Sequence, residues 1–323
     1  MLDFLLVALL TLHLLLVDVA MAGPLVCIWL EWRGARAADL AADNLARSLA
    51  RLATGGLAVG VLLGAILLAI RWATDDRGYF RAVAMIPASR LWFGLAELLF
   101  YLACMLAYLG LWDRLRPWRV AHRLLALAAS SNLLLHFPAL FVIISVLSRR
   151  TAKASETLDR AGYWQLLLNG EVGSRVVHVW LSSFAVTGVF LMALALRSKL
   201  PSDAIAARRG LIQRGAWLAL IATLLQLPAG IWVTLEMSES ARESLFGGDL
   251  LASSVFGLSL LLVLLLAHTL AAIAQGDSQP GYVRRSVATA AMIVLLMVGT
   301  RWRANELARA VERAAPVLTA TTR

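Results

Sequence analysis

The chain has little charge and few residues that suit soluble chemistry. Only 15% of its 323 residues are charged, against 60% hydrophobic. A soluble core cannot hide that proportion of apolar surface. Two cysteines, Cys27 and Cys104, both lie inside apolar runs. That excludes a disulfide framework and leaves no Cys-x-x-Cys-His for covalent haem attachment. No glycine-rich nucleotide loop, zinc-ligand spacing or nucleophile triad is present. The N-terminus lacks the basic stretch of a cleaved leader: it carries Asp3, and its apolar run to Leu30 is too long.

What is present is a series of long Leu/Ala-rich runs, without the alternation of a barrel strand. A lipid span needs about 20 apolar residues and must satisfy its backbone internally, which helices do. The expected fold is therefore all-α and integral to the membrane. It has about eight transmembrane helices, near residues 2–30, 52–72, 91–112, 123–148, 174–196, 214–235, 250–274 and 284–301. Eight spans suggest two four-helix bundles, 1–150 and 151–303, followed by a polar tail, 304–323, with a short surface helix at 305–314. Residues 36–51 read as an amphipathic continuation of the first helices into the interface. Gly56, Gly60 and Gly64, spaced by four, read as a close-packing stripe.

The net charge of +10 comes from arginines in loops and at span ends. It is expected to orient the chain and contact headgroups rather than nucleic acid. Lysine and arginine counts favour the N-terminus outside, in a bacterial cytoplasmic membrane.

Polar side chains within spans are costly and mark candidate sites. Of five histidines, His122 falls in a basic loop and is expected to be solvated. Neutral imidazole ligates haem iron, and helical bundles hold haem between facing helices. His13 and His136 lie about 16 and 18 Å from the outer ends of their spans at 1.5 Å per residue, so one haem could bridge them. His178 is expected at about 6 Å. His268, near the other side, suits a helix–helix hydrogen bond. Asp18 and Glu97 are intramembrane carboxylates. Glu97 suits a proton path, an iron ligand or a histidine pair.

Several stretches resemble subunit I of the cytochrome bd quinol oxidases. The opening Met-Leu-Asp is followed by an early histidine, His13. Gly110-Leu111-Trp112-Asp113-Arg114-Leu115 is similar to the family's Gly-Trp-Asp-Arg-Leu, and Asn132 with His136-Phe137-Pro138 to its Asn…Gln-His-Pro. Between Ser155 and Gly188 the order Glu156-Thr157, Leu166-Leu167-Leu168-Asn169, Val177-His178, Val186-Thr187-Gly188 follows the family's. The resemblance implies two four-helix bundles, haem b, quinol oxidation at the outer side, and partner membrane or cytochrome subunits. It makes His178 the low-spin haem histidine and His13 the first-helix ligand of the oxygen site.

The departures imply as much. The family's two third-helix glutamates fall on Phe93 and Tyr101, with Glu97 midway. Its low-spin methionine falls near Val255. Its last-helix Glu-x-Gly-Arg-x-Pro-Trp becomes Met297-Val298-Gly299-Thr300-Arg301-Trp302. This leaves Met297 as a candidate second ligand for the His178 haem and Arg301 as a propionate partner. The long outer quinol loop shrinks to 236–249. The expected function is a membrane b-type cytochrome for quinol- or quinone-linked electron transfer, without efficient oxygen reduction. A working terminal oxidase with rearranged ligands and a haem-free scaffold or transporter-like subunit are the alternatives.

Overall fold

The computed structural model describes residues 2–37, 39–74, 76–149, 157–198 and 205–321, the side chains of 37 and 304–321 excepted. Among these residues eight helices are long and apolar enough to cross a membrane. They are α1 (Leu2–Ala37), α2 (Leu40–Ala73), α4 (Ala88–Gly110), α5 (Arg119–Leu147), α7 (Gly170–Arg197), α8 (Ile205–Leu235), α10 (Leu250–Ala274) and α11 (Pro280–Thr321). Three short helices join them: α3 (Arg77–Met85), α6 (Arg160–Leu167) and α9 (Glu239–Glu243), the last followed by a π turn over Ser244–Gly248. All eight expected spans are present, and most helices run longer than their apolar stretches.

The breaks between helices have local causes. Asp39 accepts from the backbone N–H groups of Ala41 and Ala42 and starts α2 within two residues of the end of α1. Asp76 caps α3, Asp159 caps α6, Asn169 caps α7 and Asp249 caps α10, each taking up an N–H that the first helical turn leaves unpaired. Gly247 and Gly276 have positive φ, at 117° and 126°, which side chains with a Cβ resist.

The packing follows two parallel patterns. Helix α1 pairs along its length with α2, and α7 with α8; α4 pairs with α5, and α10 with α11. Helix α1 also meets α5, as α7 meets α11, and the two sets join chiefly where α1 meets α7. This is the arrangement of two four-helix bundles. Small residues permit the close approaches. A Cβ on Gly188 would stand 2.7 Å from both the Ala219 nitrogen and the Gly215 oxygen, so α7 and α8 touch backbone to backbone there. The stretch 36–51 is helical and packed, with Leu45, Ala46, Leu49 and Ala50 fully buried.

Alternation of direction brings the start of α1, the ends of α2, α5 and α8, the starts of α4, α7 and α10, and residues near 301 of α11 to one end, the first end. The expected separate helix at 305–314 is instead a continuation of α11, which runs unbroken to Thr321. Of the motif opening at Ser155, residues 155 and 156 lie outside the described residues.

Candidate functional site

Burial along the two central helices is uneven. On α1 every residue from Asp18 to Pro24 is buried, but between Val7 and Val17 only Thr11 is, although α1 packs against four other long helices. On α7 the run 177–182 is half-buried and the run 185–189 fully buried. The half of the molecule toward the first end is therefore loosely filled around its two central helices, and the other half is tightly packed.

The candidate histidines fall in the loose layer. His13 lies in the contact between α1 and α2, where its Nδ1 donates to the Gly60 carbonyl at 2.8 Å. That bond fixes the tautomer and leaves Nε2 with a free lone pair. The ring reaches α2 because of the glycine stripe: a Cβ on Gly64 would stand 3.2 Å from His13 Cε1. The stripe, expected as packing alone, also cradles an imidazole.

His178 occupies the corresponding place in the second bundle. It faces α8, where a Cβ on Gly230 would stand 3.9 Å from its Cε1. Its Nδ1 is buried and has no hydrogen-bond partner among the described residues. A buried, unpaired ring nitrogen is costly unless something else occupies it. Helix α7 starts at Gly170, about a turn before the apolar run, and His178 lies about 12 Å along it. His13, about 16 Å along α1, and Glu97, about 14 Å along α4, lie at similar depth.

His136 is paired with Glu97. Its Nδ1 lies against the Glu97 carboxylate as an ion pair; the Glu97 side chain is 5% exposed, the imidazole 49%. Leu133 and Ile143, on the same side of α5, are buried, whereas Leu135 and Phe93 beside His136 are exposed. Phe93 meets the ring edge-on at 5.3 Å, and Asn132 donates to the Glu97 backbone carbonyl at 2.9 Å. No hydrogen bond or ring contact joins His13 to His136 among the described residues: each has its Nδ1 engaged by another helix. Asp18 is buried and accepts from Ser182 of α7 at 3.0 Å, across the junction of the bundles.

Above this layer, at the first end, arginines converge. Glu171 accepts from Arg149 at 2.5 Å and Arg175 at 2.9 Å. Arg301 donates to Ser145 at 2.6 Å, one helical turn beyond the half-buried Met297. Nη1 of Arg175 is buried without a partner among the described residues. Cations outnumber carboxylates here, which suits an anionic group.

One expectation is corrected. His122 is 3% exposed, not solvated. Its ring stacks on Tyr108 at 4.0 Å and meets Trp112 edge-on. Its Nδ1 faces Glu31 at 3.1 Å and its Nε2 the Tyr108 carbonyl at 2.8 Å, and the Tyr108 hydroxyl donates to the other Glu31 oxygen. This buried network, at the end opposite the candidate site, escaped sequence reasoning because helix α5 begins before the apolar run does. Glu31, eighteen residues after His13 on α1, was the available signal.

Eight membrane-length helices thus carry a histidine toward the first end of each bundle, with arginines near that end. The comparisons give the family. Residues 4–247 match the family model for cytochrome bd terminal oxidase subunit I, and the chain belongs to that family. Among solved structures, the bd oxidase from Geobacillus thermodenitrificans is 16% identical, over 95% of this chain and 86% of that one, with a TM-score of 0.73, and so shares the fold. No curated protein matches. The chain is thus an integral membrane, quinol-oxidase-like subunit of a family that implies haem cofactors.

The residues present fit such a group. His178 Nδ1 is a buried nitrogen without a partner among the described residues, His13 keeps Nε2 free of the Gly60 bond, and the stretches of α1 and α7 around them are only half-buried.

Proposed function

We propose that this chain is a membrane b-type cytochrome subunit that passes electrons to or from quinol, and is not itself an efficient oxygen reductase. The observation that carries the reading is the buried Nδ1 of His178, without a partner among the described residues, in a half-buried stretch of α7. His178 holds one haem b, with Met297 as its candidate second ligand. His13, its Nδ1 tied to Gly60, presents Nε2 to another. A bound haem supplies one-electron oxidation and reduction at its iron.

The chain's own groups then have separate tasks. Arg301 and the unpaired guanidinium nitrogen of Arg175 meet propionate carboxylates through charge-assisted hydrogen bonds. Glu97 and His136 form a proton-holding pair on facing helices, since Nδ1 of His136 contacts the buried carboxylate while its ring stays half exposed with Nε2 available. The alternative role of His136, in place of holding the proton, is to share iron with His13 through Nε2. The first end is placed outside the cell, partner membrane subunits complete the electron path, and 1–150 and 151–303 act as two units around the α1–α7 junction.

The deciding experiment is a reduced-minus-oxidised absorbance spectrum of purified wild type and His178→Ala. The reading requires a b-type alpha band in wild type and loss of one low-spin component in the variant. A wild type without a Soret or alpha band supports the haem-free scaffold instead.

A further inference from the structure

Helix α10 turns only one side toward the rest of the chain. Ala252, Ser259, Leu266, Leu270 and Ile273 on that side are buried where α8 and α11 pack, and α10 is the least buried of the eight spans. At 3.6 residues per turn, His268 points the opposite way. It is exposed, it lies about 9 Å before the last residue of α10, and it has no hydrogen bond among the described residues. The helix–helix hydrogen bond expected of it is therefore not made there. An imidazole turned toward acyl chains is costly, which marks this face for a partner.

His268 belongs to a regular row. Ser254, Gly257, Leu261, Leu264 and His268 follow one another by alternate steps of three and four residues, and Gln275 lies one heptad further. The side chains of the row are exposed, and nothing lies within 4 Å of a Cβ built on Gly257, so the row is unobstructed. A 3.5-residue repeat keeps one line of side chains facing a neighbouring helix along a left-handed pair. The row is also complementary to itself. Two copies in one membrane share their orientation, so a two-fold axis along the bilayer normal sets each residue of α10 beside its own counterpart. A hydroxyl, a carboxamide and an imidazole with one N–H each carry a donor and an acceptor, so Ser254, Gln275 and His268 can each bond to their counterparts. The row holds no charged residue, and self-pairing brings no like charges together.

We infer that α10 is the seam of a symmetric dimer of this chain, in which His268 of one copy donates to His268 of the other and Leu261 and Leu264 pack between the two helices. The seam needs no haem, so it stands or falls apart from the electron-transfer reading.

The test is oxidative cross-linking of the full chain in its membranes, with one added cysteine at a time. Leu261→Cys lies on the row; Leu260→Cys is exposed at nearly the same depth but turned about 100° away. The native Cys27 and Cys104 are buried and stay in place. Leu261→Cys is expected to give a disulfide-linked product of twice the mass of the chain, because counterparts across such a seam come within the roughly 6 Å between Cα atoms that a disulfide spans. Leu260→Cys is expected to give little or none. Native mass spectrometry of the purified chain supplies the second readout. His268→Ala is expected to weaken the dimer about threefold, the worth of one interhelical hydrogen bond in a membrane, and His268→Asn, which keeps a donor and an acceptor, to restore it. Equal cross-linking at the two positions, or a dimer as tight in His268→Ala as in wild type, would overturn the proposal. So would a cross-linked product of another mass, which would put a different protein on α10.

Discussion

His136 on α5 forms an ion pair through Nδ1 with the carboxylate of Glu97 on α4, and the two differ in their surroundings: Glu97 is closed off and His136 is half open. The pair therefore has one side set in protein and one side available. Removing the imidazole strands a buried carboxylate. His136→Ala is expected to cost about 1–3 kcal/mol, the penalty for a buried acceptor left unmatched. His136→Ala/Glu97→Gln is expected to cost less than the sum of the single changes, because the two act through one contact. Thermal unfolding in detergent, followed by tryptophan fluorescence, measures this. Additive costs would mean that the pair is not coupled.

Gly64 has a role beyond packing. A Cβ there would stand 3.2 Å from His13 Cε1, so Gly64→Val must move the ring. The expected outcome is loss or broadening of the spectral component that also disappears in His13→Ala, while the His178 component persists. If Gly64→Val left the spectrum of wild type intact, His13 would not hold a cofactor in this orientation.

The contact of α7 with α8 depends on Gly188, where an added methyl meets backbone atoms of α8 at 2.7 Å. Backbone cannot yield as a flexible side chain does. Gly188→Ala is expected to lower stability by about 1–3 kcal/mol, the usual cost of overpacking. Gly257→Ala is the control: nothing lies within 4 Å of its added methyl, and alanine is the better helix former. Melting temperatures of the two variants should move in opposite directions or differ by several degrees.

Much of this was legible in the sequence, and the rest had physical reasons for being hidden. All eight spans showed as apolar runs because lipid demands them. The short helices α3 and α6 did not, since their nine and eight residues leave too few turns for a periodic signal. The start of α7 lay earlier than the apolar run showed, because the helix continues through Glu171 and Arg175, which are paired with each other at 2.9 Å. Asn169, singled out as part of a motif, turned out to be the helix cap, its side chain accepting from the Glu171 N–H at 2.8 Å. His122 was misread for a similar reason: its partner Glu31 lies 91 residues away in sequence, and no local pattern announces such a pair.

Asp249 gives a pH dependence at the first end. The Ala252 backbone N–H, and then Arg303, hold its carboxyl below the usual carboxylate range. A depressed folded-state value adds stability that is present above the unfolded value of about 3.9 and is lost as pH falls through the folded value. Wild type is therefore expected to lose melting temperature between pH 5 and 3 more steeply than Asp249→Asn, whose amide still caps α10 but does not titrate. Parallel pH profiles for the two would show that Asp249 does not contribute in this way.

The last expectation concerns oxygen. Reducing it to water needs an iron with an open position and protons delivered to it. Resemblance to the family places carboxylates for this task where Phe93, Tyr101 and Met297 stand, and none of these exchanges a proton as a carboxylate does. Tyr101 is also committed structurally: fully buried, it donates to the Ala20 carbonyl of α1 at 2.8 Å and fills the space between the helices. Met105 and Tyr108, further along the same face of α4, are buried as well and close the route toward the second end. Glu97 is the one carboxylate left on that face, one turn from both Phe93 and Tyr101, and its partner is His136. Two measurements decide the matter. Quinol-driven oxygen uptake by the purified protein is expected to be negligible, and carbon monoxide is expected to leave the spectrum of the reduced form unchanged, since a six-coordinate iron offers it no position. Rapid uptake that vanishes in Glu97→Gln, with a carbon monoxide difference spectrum in wild type, would instead establish an oxidase whose proton route has moved from the lost glutamates onto the Glu97–His136 pair.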